Sequence, residues 1–219
     1  MKSKRNFICT AVLFVMFLTL TALVMFVDVD NIGPLNSEVG LSTINGNVFE
    51  RLGENETWYE ITEYIGYAAL LVAAAFALIT LVQFIRRRSL AKVDKGLIVL
   101  MLTYCLMAAA YIFFEFVIIN YRPVLEEGAL AASYPSSHTM LVCFIMMSGI
   151  LQLDRLVNNM AIGIIAEVIA AAAVILTVVG RLLSGVHWFT DILAGLLLAA
   201  TLVMLYHSIT THIDNTAEN

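Results

Sequence analysis

Six long apolar runs, separated by polar connections, dominate the chain. They extend over about Phe7 to Val27, Tyr64 to Ile85, Gly96 to Ile119, Pro135 to Leu153, Met160 to Val179 and Trp188 to Tyr206. Each approaches or exceeds the roughly 20 residues that an α-helix needs to cross a bilayer. In hydrocarbon, every backbone N–H and C=O must find its partner within the protein, which a helix achieves along its own length. The pattern therefore predicts an all-α polytopic membrane protein: one domain over residues 1–219, folded as an antiparallel bundle of six transmembrane helices. The fourth run is the least regular, because Ser136, Ser137 and His138 occupy its first turn.

Composition agrees: 61% of the 219 residues are hydrophobic and 13% are charged, far from the balance of a soluble domain. The first run has the basic start of a signal peptide, but it is longer than a usual signal core and lacks a small-residue cleavage pattern before Asp28. It reads as a retained span. Cys9, Cys105 and Cys143 all fall within spans, where cysteine acts as a small apolar residue; they form neither a disulfide framework nor a metal-ligand pattern. The net charge of -5 and the lack of an outward basic patch give no reason to expect a nucleic-acid partner.

Orientation follows from lysine and arginine, which accumulate in cytoplasmic connections. Lys2, Lys4, Arg5, Arg86, Arg87, Arg88, Lys92, Lys95 and Arg155 fall on one side, and Arg51, Arg122 and Arg181 on the other: nine against three. With an even number of crossings, both termini are expected to be cytoplasmic in a multi-pass cell-membrane protein. Two connections exceed a tight turn. Residues 28–60 are outer-facing, and their Leu41, Ile44, Val48, Phe49 and Leu52 recur at the spacing of an amphipathic helix lying in the headgroup region. A solvated connector with no role in substrate access is the alternative. Arg86 to Arg88 read as a topology anchor. Glu167, inside the fifth span, is expected to face the bundle interior with a partner or carry a proton. Gly163, Gly185 and Gly195 are candidates for close helix approach.

The polar residues within this hydrophobic chain gather on one side. Arg122-Pro123 follows the third run, Pro135-Ser136-Ser137-His138 opens the fourth, Arg181 closes the fifth, and His187 and Asp191 open the sixth. By the crossing count all lie at the extracytoplasmic face. His187 and Asp191 are four residues apart, which on a helix stacks both side chains on one face. Asp191 is then expected to accept a hydrogen bond from one ring nitrogen of His187 and leave the other free to attack. Guanidinium groups bind phosphate oxygens through paired hydrogen bonds, so Arg122 and Arg181 point to an anionic phosphate. The helix start at Ser136 and Ser137 offers backbone N–H groups to the same anion. His207 and His212 lie at the opposite face.

This set of residues resembles the type 2 phosphatidic acid phosphatase superfamily of integral membrane lipid phosphatases. That family carries a lysine spaced ahead of Arg-Pro, then Pro-Ser-Gly-His, then Ser-Arg followed at fixed spacing by His and Asp. Here the counterparts run from Glu115 to Arg122-Pro123, through Pro135-Ser136-Ser137-His138, to Gly180-Arg181, His187 and Asp191, within a catalytic core over residues 96–206. The resemblance implies that His187 is the nucleophile, forming a phosphohistidine, with Asp191 orienting it. It makes His138 the general acid, and it places Arg122, Arg181, Ser136 and backbone amides near Ser137 on the phosphoryl oxygens. It implies neither metal nor cofactor.

Three positions depart from the family pattern. Gly180 replaces serine, Ser137 replaces glycine, and Glu115 stands where the family has lysine. Were the third helix to continue, Glu115 and Arg122 would share a face, so Glu115 is expected to hold one of the two arginines, or to stay protonated, without touching phosphate. The resulting expectation is hydrolysis of a phospholipid or polyprenyl phosphate in the bilayer; undecaprenyl diphosphate, phosphatidylglycerol phosphate and phosphatidic acid are all candidates. The alternatives are a catalytically weak relative that binds or moves anionic lipid, motivated by Glu115, and a lipid phosphotransferase in which another acceptor intercepts the phosphoenzyme.

The topology has a direct test. A cysteine placed at Glu126 should react with a membrane-impermeant maleimide in intact cells, whereas one at Arg87 should not; the reverse labelling pattern inverts the protein.

Overall fold

The computed structural model describes residues 2–217, which form seven α-helices: α1 (Lys2–Phe26), α2 (Ser42–Leu52), α3 (Glu56–Arg87), α4 (Lys95–Phe116), α5 (Ser137–Leu156), α6 (Met160–Ser184) and α7 (Phe189–Ala217). All except α2 are long and apolar enough to cross a membrane, giving six candidate spans.

Helix ends differ from the apolar runs wherever a helix continues past its hydrophobic stretch. α3 starts at Glu56 instead of near Tyr64, because Asn55 caps it by accepting the Trp58 N–H (3.1 Å) and Glu56 suits the positive N-terminal dipole. The first turns of α3 are thus polar in composition but fully helical. α4 stops at Phe116, and residues 117–136 run as irregular chain with isolated bridges between Tyr121 and Ala132 and between Glu126 and Ala129. α5 begins only after Pro135. Ser136 is its N-cap, with its hydroxyl 3.0 Å from that of Thr139.

α5 and α7 form the centre. Half of the most apolar stretch of α5 and 56% of that of α7 are buried, against 11% for α3 and for α6. Val142 to Ile145 on α5 and Ala194, Leu198, Ala199 and Leu202 on α7 build the core, joined by Phe17 and Val24 from α1. α3 and α6 pack on one another and on α5, whereas α3 and α4 touch little. Gly195 sets the α5–α7 spacing: a Cβ there would lie 2.8 Å from the Ser136 carbonyl oxygen and 3.1 Å from Thr139 Cβ. Gly185 ends α6 in the left-handed region (φ 70°), as a helix-terminating glycine does. At Gly163, by contrast, a Cβ would meet only the Asp154 carboxylate, at an ordinary 3.4 Å.

α2 is helical as the spacing of Leu41 to Leu52 predicts, but Ile44 and Leu52 are exposed and a polar residue holds it. Asn45 is buried, donates to Gly40 O (2.8 Å) and Thr190 Oγ1 (2.9 Å), and accepts from Thr190 N (3.1 Å), while Phe49 packs on Trp188 with ring centroids 5.6 Å apart. α2 is therefore a bracket on the start of α7. Glu167 corrects an expectation. The inward stripe of α6 runs through Gly163, Ala166, Ala170, Ala173 and Thr177, and Glu167 falls beside it on the exposed surface.

Gly195→Ala should force α5 away from α7 at the end that carries His138 and Asp191. The expected loss is about 1–3 kcal/mol, seen as a melting temperature in detergent lowered by roughly 2–4 °C per kcal/mol. Gly163→Ala should leave it unchanged.

Candidate active site

One end of the bundle collects the 117–136 connection, the C-terminus of α6, the starts of α5 and α7, and the second turn of α3. The connection is pinned on both sides. Trp188 Nε1 donates to Tyr121 O (2.7 Å), Ser133 N donates to Asn120 O (3.0 Å), and the buried Tyr134 hydroxyl lies 2.8 Å from that of Thr21 on α1. These contacts fix Ser133 between α1 and α7.

Ser133 sits where direct contact between His187 and Asp191 was expected. The His187 Nδ1 to Asp191 Oδ2 distance is 3.9 Å, beyond hydrogen-bond range. Instead Ser133 Oγ donates to Asp191 Oδ2 (2.5 Å) and lies 3.1 Å from His187 Nδ1. A hydroxyl has one proton. With it committed to Asp191, Ser133 must accept from His187, which assigns the proton to Nδ1 and the lone pair to Nε2. Asp191, fully buried, also accepts the Trp188 N–H (2.9 Å). The expected spacing fails because His187 precedes α7: its ring belongs to the α6–α7 connection and not to the helix face that carries Asp191. His187 Nε2 is buried and has no partner among the described residues.

The arginines are held by carboxylates, and neither partner is Glu115. Arg181, in the last turn of α6 and 1% exposed, donates from Nη2 to Glu63 Oε1 (2.6 Å), and its guanidinium lies 5.3 Å from the centroid of the Tyr59 ring. The same Glu63 oxygen lies 3.1 Å from His138 Nε2. Arg122 pairs with Glu126 (3.3 Å) and donates from Nε to Ala132 O (3.3 Å). Because α4 ends at Phe116, Arg122 leaves the helical register that would have placed it on the face of Glu115. Glu115 instead lines a small cavity with Tyr111, Ser133, Ser137 and His187. The Ser136 hydroxyl, expected on phosphate, is engaged with Thr139, and its N–H donates to Asp191 O (2.9 Å). Ser137 is the first residue of α5 and is not among the positive-φ positions, so serine in the family's glycine position carries no backbone strain.

Ser133 and Glu63 were not singled out in the sequence. Ser133 lies in an Ala-Ala-Ser-Tyr-Pro stretch with no chemical pattern of its own. Glu63 stands just before the apolar run that marks the second span, among the polar residues of the outer connection, where nothing in the sequence sets it apart. His207 and His212 are on the far part of α7, as expected.

Residues 115–213 match the PAP2 superfamily. No curated protein matches the chain. Among solved structures, the crystal structure of a transmembrane PAP2-type phosphatidylglycerolphosphate phosphatase from Bacillus subtilis is similar, with a TM-score of 0.65 and 18% identity over 93% of this chain and 96% of that one. At that identity the likeness is one of fold. The superfamily match includes Glu115, Arg122, Ser133, His138, Arg181, His187 and Asp191; Glu63 lies outside it.

Burial, reinforced by the positive charges of Arg122 and Arg181, holds the His187 imidazole well below the usual histidine range. A ring with a depressed pKa stays neutral as pH falls through the ordinary value of about 6.5 and is protonated only below it. In nitrogen-15 NMR of histidine-labelled protein, the His187 ring should keep its neutral signature at about pH 6. Titration near 6.5 would contradict the buried electrostatics described here.

Proposed function

We propose that this chain, whose residues 115–213 match the PAP2 superfamily and whose motifs resemble that family of membrane lipid phosphatases, is a metal-independent phosphatase of a membrane lipid phosphate, acting at the outer leaflet through a phosphohistidine. The observation that carries this reading is the state of His187: Nδ1 tied through Ser133 to Asp191, and Nε2 buried, neutral and unpartnered. A nitrogen in that condition is a prepared nucleophile.

His187 Nε2 attacks phosphorus, and the bond from phosphorus to the lipid oxygen breaks as that oxygen takes a proton from His138. Positive charge that develops on the imidazole is stabilised through Ser133 by the Asp191 carboxylate. Water then attacks the phosphohistidine, giving its proton to His138, and the P–N bond breaks to release phosphate. Arg181, Arg122 and N–H groups at the start of α5 stabilise charge spread over the phosphoryl oxygens, the principal requirement of this chemistry.

A lipid substrate is supported by a groove of about 390 Å³ between α3, α4 and α5, lined by Tyr67, Leu70, Met107 and Leu141 and ending at His138 and Glu63. Its apolar walls suit a hydrocarbon chain whose phosphate reaches the polar end. The complete set of nucleophile, orienting groups and acid favours an enzyme over a protein that only binds or moves anionic lipid.

Purified protein should release phosphate from at least one of phosphatidylglycerol phosphate, phosphatidic acid and undecaprenyl diphosphate with EDTA present. His187→Ala should abolish release, and Ser133→Ala should lower kcat by about 10²-fold or more with little change in KM, because an unoriented imidazole loses the required tautomer. Near-normal hydrolysis by His187→Ala would remove the nucleophile, and complete loss with EDTA would remove the metal-free reading.

A further inference from the structure

Glu63 introduces a negative charge into a site assigned to phosphate, and its geometry gives that charge a use. On the Nε edge of an arginine, Nε–H and one Nη2–H form a parallel pair that grips two oxygens of a phosphate or carboxylate. In Arg181 only half of that pair is taken. Nη2 donates to Glu63 Oε1 at 2.6 Å, while Nε is buried with no partner among the described residues. The same Oε1 lies 3.1 Å from His138 Nε2. A single carboxylate oxygen thus occupies hydrogen bonds of the arginine and of the acid that serve the phosphoryl group.

We propose that Glu63 is an internal stand-in for phosphate, and that lipid phosphate binds by exchange, taking the Nε–Nη2 edge of Arg181 from the Glu63 carboxylate. The inference rests on the phosphatase reading and adds how the site is kept charge-balanced and what substrate must displace. Arg181 is 1% exposed, and a buried guanidinium without a counter-ion is strongly destabilising. Glu63 meets that requirement through one tooth of the fork, which leaves the second tooth to favour the anion that can take both.

Close approach of α3 makes this contact, and two glycines permit it. A Cβ at Gly180 would lie 2.5 Å from Thr62 Cγ2, and a Cβ at Gly66 would lie 3.0 Å from His138 Cδ2. Gly180 is the position where the resembling family carries serine. The departure at 180 and the carboxylate at 63 therefore belong to one feature: α3 sits where a serine side chain would have pushed it away. Glu63 is itself partly exposed and lines the apolar groove, so a phosphate carried on a lipid in that groove meets it on the way to Arg181.

The test is the affinity of purified protein for inorganic phosphate and for orthovanadate, measured by calorimetry. Glu63→Gln keeps the shape and a hydrogen-bond acceptor but removes the charge that competes for Arg181. Exchange predicts binding about tenfold tighter than wild type, equivalent to about 1.4 kcal/mol. A carboxylate that only braces Arg181 predicts unchanged or weaker binding, which overturns the proposal. Gly180→Ala gives an independent reading should Glu63→Gln not fold: its Cβ displaces α3 and must also tighten anion binding. Hydrolysis of a lipid phosphate by wild type together with unchanged or weaker affinity in these variants defeats the exchange and leaves the phosphatase standing. Tighter anion binding with no lipid phosphate hydrolysed supports the exchange at an anion site and defeats the phosphatase. No anion binding by any form, with no lipid phosphate hydrolysed, defeats both.

Discussion

A guanidinium at 1% exposure cannot be left without a counter-ion, and the placement of Arg181 constrains much of the surrounding structure. Its partner, Glu63, comes from a helix far away in sequence. To deliver it, α3 must remain helical beyond its apolar stretch, start from the Asn55 cap, and lie flush against α6. Each condition has a visible cause. Asn55 N donates to Ser184 O (3.3 Å) and ties the start of α3 to the end of α6. Gly180 accommodates Thr62, and Tyr59 covers the guanidinium face. Burial makes the arginine costly to leave unpaired, and the polar first turns of α3 carry Glu63 to it.

The other half of the site is organised around a buried carboxylate. Asp191 receives two donors, the Ser133 hydroxyl and the Trp188 N–H, and its own carbonyl accepts from Ser136 N at the start of α5. Residues around His187 and Asp191 thus join α5, α7 and the 117–136 connection. The close approach at Gly195 brings α5 and α7 together at this level, and Asn45 on α2 holds Thr190, next to Asp191. Little of this end is free to adjust. That suits chemistry in which stabilisation comes from groups already in place when charge develops.

What the sequence made legible follows from the range of each interaction. The six spans were visible because hydropathy is a property of a continuous segment, and membrane crossing demands about 20 such residues in succession. Their ends were less visible, since the first turns of α3 and the last of α7 are helical without being apolar. His138, Arg181, His187 and Asp191 stood out as polar residues at fixed spacing near hydrocarbon. Ser133 did not, because its importance arises from lying between two residues more than fifty positions later. Glu63 did not, because its partners are on α5 and α6. The outward position of Glu167 is hidden for a related reason: a lone acidic residue in an apolar run does not reveal which side of the helix it occupies, and here the stripe of small residues on α6 turns it outward.

The departures from the family pattern acquire different meanings once placed. Serine at 137 opens a helix and costs the backbone nothing. Glycine at 180 is a packing requirement of α3. Glutamate at 115 is the substitution that most alters the charge of the motif, yet it does not hold either arginine, which are paired with Glu63 and Glu126. Two cations near the site therefore already have carboxylate partners, and a lysine at 115 is not required to keep the charges matched. Glu115 adds another negative group at the cavity it shares with Ser133 and His187. Electrostatic matching in this chain is thus shared between Glu63 on α3, which a motif confined to the second half of the sequence does not reach, and Glu126 on the 117–136 connection, which is none of the motif positions.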